Sequence, residues 1–166
     1  MNAAVIGYGK MKREALFPGS FDPFTLGHKA IVDQGLNMFD RIIVGIGENL
    51  AKEGFLTLNN RIKLIRDIYR DETRVEVTSY NNLTGDFCRG REVKFILRGM
   101  RNTVDYEYER NLYMINQKLY PDITTVLLFT PPEYVAVSSS MLRELMAFGH
   151  DVRGMMPENI NIKNYL

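Results

Sequence analysis

Four short apolar runs, "EALF" (14–17), "RIIVGIG" (41–47), "KFILR" (94–98) and "TTVLLF" (124–129), and the alternating "RVEVT" (74–78) recur along the chain, with helical patterns between them. Runs this short, rich in β-branched and large aliphatic residues, suit strands buried in a sheet, and parallel neighbours need a crossover segment to join them. The intervening segments have that character. In "HKAIVDQGLNMF", Ile31, Val32, Gly35, Leu36 and Phe39 share one face of a 3.6-residue period. Thr57 caps a second helix whose stripe is Leu58, Ile62, Ile65 and Tyr69. A short helical piece is predicted around Leu83 to Arg89, a long helix from about Thr103 to Leu119, and a serine-capped helix over 138–149 with Gly149 as its stop. Pro131-Pro132 halts regular structure before that last helix. The pattern predicts an α/β fold: a doubly wound (Rossmann-like) open parallel sheet with helices on both faces. Ligands in such folds bind beyond the carboxyl ends of the strands. The segments after "EALF", "KFILR" and "TTVLLF" all leave that edge.

The 166 residues suffice for one domain, expected over 11–166. Residues 1–10, "MNAAVIGYGK", have no basic region followed by a long apolar stretch, so no secretory signal is expected there. They are expected to be an upstream or artificial extension, with a disordered native tail as the alternative. A formal net charge of +1 announces neither nucleic acid nor a membrane surface, and no apolar run approaches the ~20 residues of a bilayer helix. Any anion site must therefore come from local placement of cations. The one cysteine, Cys88, has no partner for a disulfide and is expected to be a packing residue, and no Cys/His spacing resembles a metal cage. A reducing compartment, the cytoplasm, is the expectation.

The stretch "FPGSFDPFTLGHKAIV" (17–32) joins the first strand to the first helix. Gly19 and Gly27 leave room for an anion to approach the backbone, and the start of a helix offers unpaired amides and the positive end of its dipole. His28 stands at that end as a hydrogen-bond donor, neutral or protonated, and Ser20 adds a hydroxyl. Asp22-Pro23 makes a rigid turn. A plain Gly/Pro loop with an exposed histidine is the alternative; the assembled spacing favours a phosphate site.

Two other segments add to it. In "ILRGMRNTVDYEYE" (96–109), Arg98 and Arg101 flank Gly99, a fork suited to phosphate if the pair is not simply an exposed turn. Asp105 and Glu107 have a sufficient reason to be there as first-turn acids of the long helix, and no chemistry is assigned to them. "VSSSMLRE" (137–144) supplies hydroxyls and amides at another helix start; Arg143 either reaches the ligand or faces solvent. Tyr106, Tyr113, Met114 and Tyr120 form a stripe expected to be core or subunit contact.

"PGSFDPFTLGH" resembles the signature of the nucleotidyltransferase superfamily, whose usual form ends in H-x-G-H; Thr25 in place of its first histidine is characteristic of the phosphopantetheine adenylyltransferase branch. Ser20 stands where threonine is usual there, and Leu26 where asparagine is. The segment from Arg98 is similar to R-G-x-R-x-x-x-D-x-E-Y-E with Tyr106 in a place where phenylalanine is frequent, and 137–144 to I-S-S-T/S-x-x-R.

The resemblance implies transfer of the adenylyl group of ATP to 4'-phosphopantetheine, giving dephospho-coenzyme A and pyrophosphate. Implied catalytic residues are His28, Lys52 and Arg101. Ser20, Lys52, Leu83, Thr84 and Arg98 are implied to hold the acceptor, with Thr84 in a place that is usually apolar. ATP is implied to meet Gly19, Ser20, Phe21 and His28, then Gly99, Met100, Arg101 and Glu109, then Tyr134, Val135, Ala136, Val137, Ser138, Ser139 and Ser140. Magnesium carried by the ATP phosphates, a homo-hexamer and feedback inhibition by coenzyme A are implied as well. The rivals are a transferase using a nicotinate mononucleotide or glycerol phosphate acceptor, and a nucleotide-binding sensor without turnover.

Overall fold

Strands β1 (Glu14–Gly19), β2 (Arg41–Gly47), β3 (Val75–Tyr80), β4 (Phe95–Met100) and β5 (Thr124–Phe129) pair in the order β3-β2-β1-β4-β5, all in parallel. They belong to a computed structural model that describes residues 12–48 and 53–166. Helices α1 (Leu26–Gly35), α2 (Leu58–Ile68), α3 (Thr84–Gly90) and α4 (Thr103–Leu119) make the four crossovers, and α5 (Ser139–Ala147) follows β5. The strand order reverses beside β1, whose neighbours are β2 and β4, so a crevice opens past the carboxyl ends of β1 and β4.

Alternation along each strand divides the interior into two cores. Ala15 and Phe17, Ile42 and Val44, and Leu97 point to the larger one, with Ile31 and Val32 of α1, Leu64 and Ile65 of α2, and Leu142 of α5. Leu16, Ile43 and Ile96 point to the smaller one, with Cys88 of α3 and Tyr120 just past α4. Burial on both faces explains why these strands are continuous apolar runs in the sequence. Val152, Met156, Ile162 and Tyr165 join the larger core through two short 3₁₀ turns (Arg153–Met155 and Ile162–Tyr165) that carry no periodic signal.

The expected caps are in place: Thr57 accepts from the Asn60 N–H at 3.2 Å and Ser138 from that of Met141 at 3.2 Å. Gly149 has φ +77°, the left-handed conformation that ends a helix. The tyrosine stripe divides. Tyr120 is buried, whereas Tyr106, Tyr113 and Met114 are exposed on the single chain, so the core reading holds for Tyr120 alone. No helix among the described residues is long and apolar enough to cross a membrane.

Candidate active site

Beyond the carboxyl ends of β1 and β4 lies a cleft of about 610 Å³. The loop after β1 lines it with Gly19, Ser20 and Phe21, α1 with Gly27 and His28, β4 and its exit with Arg98, Gly99 and Arg101, and the start of α5 with Val137 to Ser140. Residues expected from three distant segments thus meet in one place.

His28 is the third residue of α1, and Thr25 is its N-cap. The Thr25 main-chain N–H donates to His28 Nδ1 at 3.0 Å, and the Thr25 hydroxyl lies 3.1 Å from the same nitrogen. Nδ1 is therefore an acceptor, and the neutral ring carries its proton on Nε2. Phe21 stands edge-on to the ring at 5.1 Å, with Phe24 at 5.3 Å and Phe17 at 6.3 Å. Burial in this aromatic cage, reinforced by the positive charges of Arg101 and Arg98, pushes the imidazole down to about 4. Of the two forms open to the sequence reading, the structure selects the neutral donor.

Phe21 itself has φ +47°, an uncommon conformation for a bulky residue. Its ring crosses the end of β1, where a Cβ on Gly19 would come within 2.7 Å of it. A Cβ on Gly99 would stand 2.8 Å from Ile31 of α1, and one on Gly27 would stand 3.3 Å from the Val137 carbonyl. These glycines admit neighbouring protein as well as any ligand, which the sequence reading did not foresee.

The two arginines differ in their tethers. Arg98 Nε sits 2.9 Å from both carboxylate oxygens of Glu109, and its Nη1 donates to the Pro18 carbonyl at 2.8 Å. Glu109, expected as a nucleotide contact, is the one buried residue of α4 and the counter-ion of Arg98. Arg101 donates to Asp105 from its main chain at 3.0 Å, from Nε at 2.9 Å and from Nη2 at 3.1 Å. The Arg101 guanidinium, by hydrogen bonding and charge, holds the Asp105 carboxyl below its ordinary value. The helix dipole alone accounts for Asp105 in the sequence; its spacing of four from Arg101 is the signal that points to the pair.

Among the three serines, Ser138 caps α5 and Ser139 Oγ donates to the Pro23 carbonyl at 2.8 Å. Arg143 lines the cleft and donates to the Asp22 carbonyl at 2.6 Å, so its solvent-facing alternative falls away. Met100, Tyr134, Val135 and Ala136 are not among the lining residues; Tyr134 faces a separate surface depression with Leu26. Lys52 lies outside the described residues.

Leu83 and Thr84 line a second, narrower pocket of about 190 Å³ whose wall is mainly apolar, with Ile96, Leu112, Ile115 and Leu119. Pro18, Arg98 and Glu109 belong to both cavities, which makes Arg98 the junction between them. The Thr84 hydroxyl is engaged by the Tyr80 hydroxyl at 3.0 Å.

The sequence model of the cytidylyltransferase-like family matches residues 16–145. The phosphopantetheine adenylyltransferase of Phocaeicola vulgatus is 44% identical over 150 residues, 90% of this chain and 99% of that protein. The protein of the same name from Bacteroides thetaiotaomicron is 45% identical over 90% of this chain and 99% of its own length, and that of Anaeromyxobacter dehalogenans 42% identical over 90% and 92%. Among solved structures, a bifunctional NMN adenylyltransferase/ADP ribose pyrophosphatase from Francisella tularensis superposes with a TM-score of 0.70 at 14% identity. That match covers 92% of this chain and 47% of the other, and at such identity it bears on the fold alone.

Proposed function

The chain belongs to the cytidylyltransferase-like family and, within it, to the phosphopantetheine adenylyltransferases, and from that premise we propose that it joins ATP to 4'-phosphopantetheine by direct in-line attack, with no covalent enzyme intermediate. The observation that carries the reading is the junction at Arg98. A cleft with room for a nucleotide, lined in part by arginines and serine hydroxyls, meets a narrow apolar pocket at one guanidinium, so a phosphate held there has ATP on one side and an apolar slot for a pantetheine arm on the other. A glycerol phosphate has nothing to fill that slot.

The acceptor phosphate is already an anion and needs no general base. Its oxygen forms a bond to the α-phosphorus of ATP while the bond from that phosphorus to the bridging oxygen breaks, and the electron pair leaves with pyrophosphate. A ring protonated on Nε2, with Nδ1 occupied, suits donation to the oxygens of the pentavalent transition state and not proton removal. Arg98 orients the nucleophile, and Arg101 with Lys52 shares the charge that builds at phosphorus. On this reading magnesium would be carried by the ATP phosphates, since the cleft carboxylates Asp105 and Glu109 are each paired with an arginine. Bound to the triphosphate, the ion neutralises charge.

The same reading makes the protein a cytoplasmic homo-hexamer restrained by coenzyme A. The exposed face of α4 with Tyr113, Met114 and Ile115 offers apolar surface for the subunit contact. The test is pyrophosphate release from ATP with 4'-phosphopantetheine, nicotinate mononucleotide or glycerol phosphate as acceptor. Release with the first alone is expected; release with another, or with none, contradicts the reading.

A further inference from the structure

A loop that cradles phosphate with its amides must turn its carbonyl oxygens elsewhere. Here those oxygens are taken up one by one. The Pro18 carbonyl accepts from Arg98, that of Ser20 from Arg61 Nη1 at 2.9 Å, that of Asp22 from Arg143 and that of Pro23 from Ser139. Arg98, Arg143 and Ser139 line the cleft themselves, whereas Arg61, in the first turn of α2, does not.

The Asp22 side chain does not line the cleft either. It is buried and aimed away from the cleft, with Oδ2 accepting from the Phe55 N–H at 2.7 Å and Oδ1 from the Leu56 N–H at 2.8 Å. One carboxyl group thus grips two consecutive amides of the segment that leads into α2. The fit is close: a Cβ on Gly54 would stand 2.8 Å from the Leu56 carbonyl, 3.2 Å from Asp22 Oδ2 and 3.5 Å from Arg61 Nη2. A bare α-carbon fits there and a side chain does not. Arg61 Nε is enclosed in the same place with no partner of its own. Asp22 therefore ties the loop forward to 55–56, α2 begins two residues later, and Arg61 ties α2 back to Ser20. Phe21, with φ +47°, lies inside this closed ring of bonds, which is the kind of surrounding that holds an unfavourable backbone conformation in place.

We propose that Asp22 and Arg61 are positioning residues, a latch outside the cleft that fixes the phosphate loop and its amides in the geometry adenylyl transfer requires. The inference rests on the adenylyltransferase reading of the cleft, and its test separates the two. Steady-state kinetics with ATP and 4'-phosphopantetheine, calorimetric binding of inorganic pyrophosphate and circular dichroism are measured on the full chain and on Asp22→Asn and Arg61→Lys. Each substitution is expected to lower kcat tenfold or more and to weaken pyrophosphate binding threefold or more, with the circular dichroism of the wild type retained. Folded variants that melt earlier but keep kcat and pyrophosphate affinity within twofold of wild type overturn the proposal, because a merely structural residue behaves that way. Should Asp22→Asn fail to fold, Arg61→Lys, at a half-buried position, decides the question by the same readings. A wild type that binds pyrophosphate but does not turn over removes the functional reading, and the pyrophosphate affinities of the variants still decide the latch.

Discussion

The main-chain N–H of Thr25 donates to His28 Nδ1 at 3.0 Å, so the nitrogen left to donate is Nε2. Because this donor is backbone, the tautomer does not depend on the Thr25 hydroxyl. Nitrogen NMR of the ring is expected to show Nε2–H and a neutral imidazole at pH 7, titrating with a midpoint of about 4 in the free protein. A midpoint near 6.5 would mean the aromatic cage is open to water.

The same displacement makes stability depend on pH. His28 in the unfolded chain protonates near 6.5 and in the folded chain only at about 4, so between those values the unfolded state binds more protons. Stability is expected to fall as pH drops from 6.5 to 4 and to change no further on this account below 4. His28→Gln should flatten that fall. An identical slope in wild type and variant, measured by chemical denaturation across the range, would place the dependence elsewhere.

Asp105 holds Arg101 through three hydrogen bonds and lines the cleft beside it. Asp105→Asn keeps the size and loses the charge. We expect kcat/KM for ATP to drop about tenfold, a difference of roughly 1.4 kcal/mol in transition-state stabilisation, with little change in the melting temperature. In the wild type the carboxylate, held below its ordinary value by Arg101, should sustain activity to a lower pH than a free aspartate would.

Glu109 is buried against Arg98, so its carboxylate has no ready substitute for the guanidinium. Glu109→Gln should cost about 2 kcal/mol, the range for a hydrogen bond to a charged group, and lower the melting temperature by roughly 4–8 °C. It should also raise KM for the acceptor, because Arg98 stands at the junction of the two cavities. An unchanged melting curve would contradict the pairing.

β1, β2 and β4 were legible because burial on both faces writes them as apolar runs, β3 was legible by its alternation, and α4 lies about where its pattern placed it, over Thr103–Leu119. α1 begins at Leu26 because Thr25, a departure from the family's usual histidine, is its cap. What stayed hidden was side chain meeting backbone across long separations. Arg61 with Ser20, Arg143 with Asp22 and Asp22 with Phe55 leave no periodic trace. Of the stripe along α4 only Tyr120 is core, because this helix docks through Glu109 on Arg98, which leaves Tyr113 and Met114 outside on the single chain.

The role of His28 as a transition-state donor is tested most directly by the single substitution His28→Ala, with kcat from pyrophosphate release and the ATP dissociation constant from equilibrium binding. The account predicts that kcat falls a hundredfold or more while ATP affinity stays within threefold, since a donor that tightens its bond only at the pentavalent phosphorus is absent from ground-state binding. Equal losses in both, or turnover that survives the substitution, would contradict it.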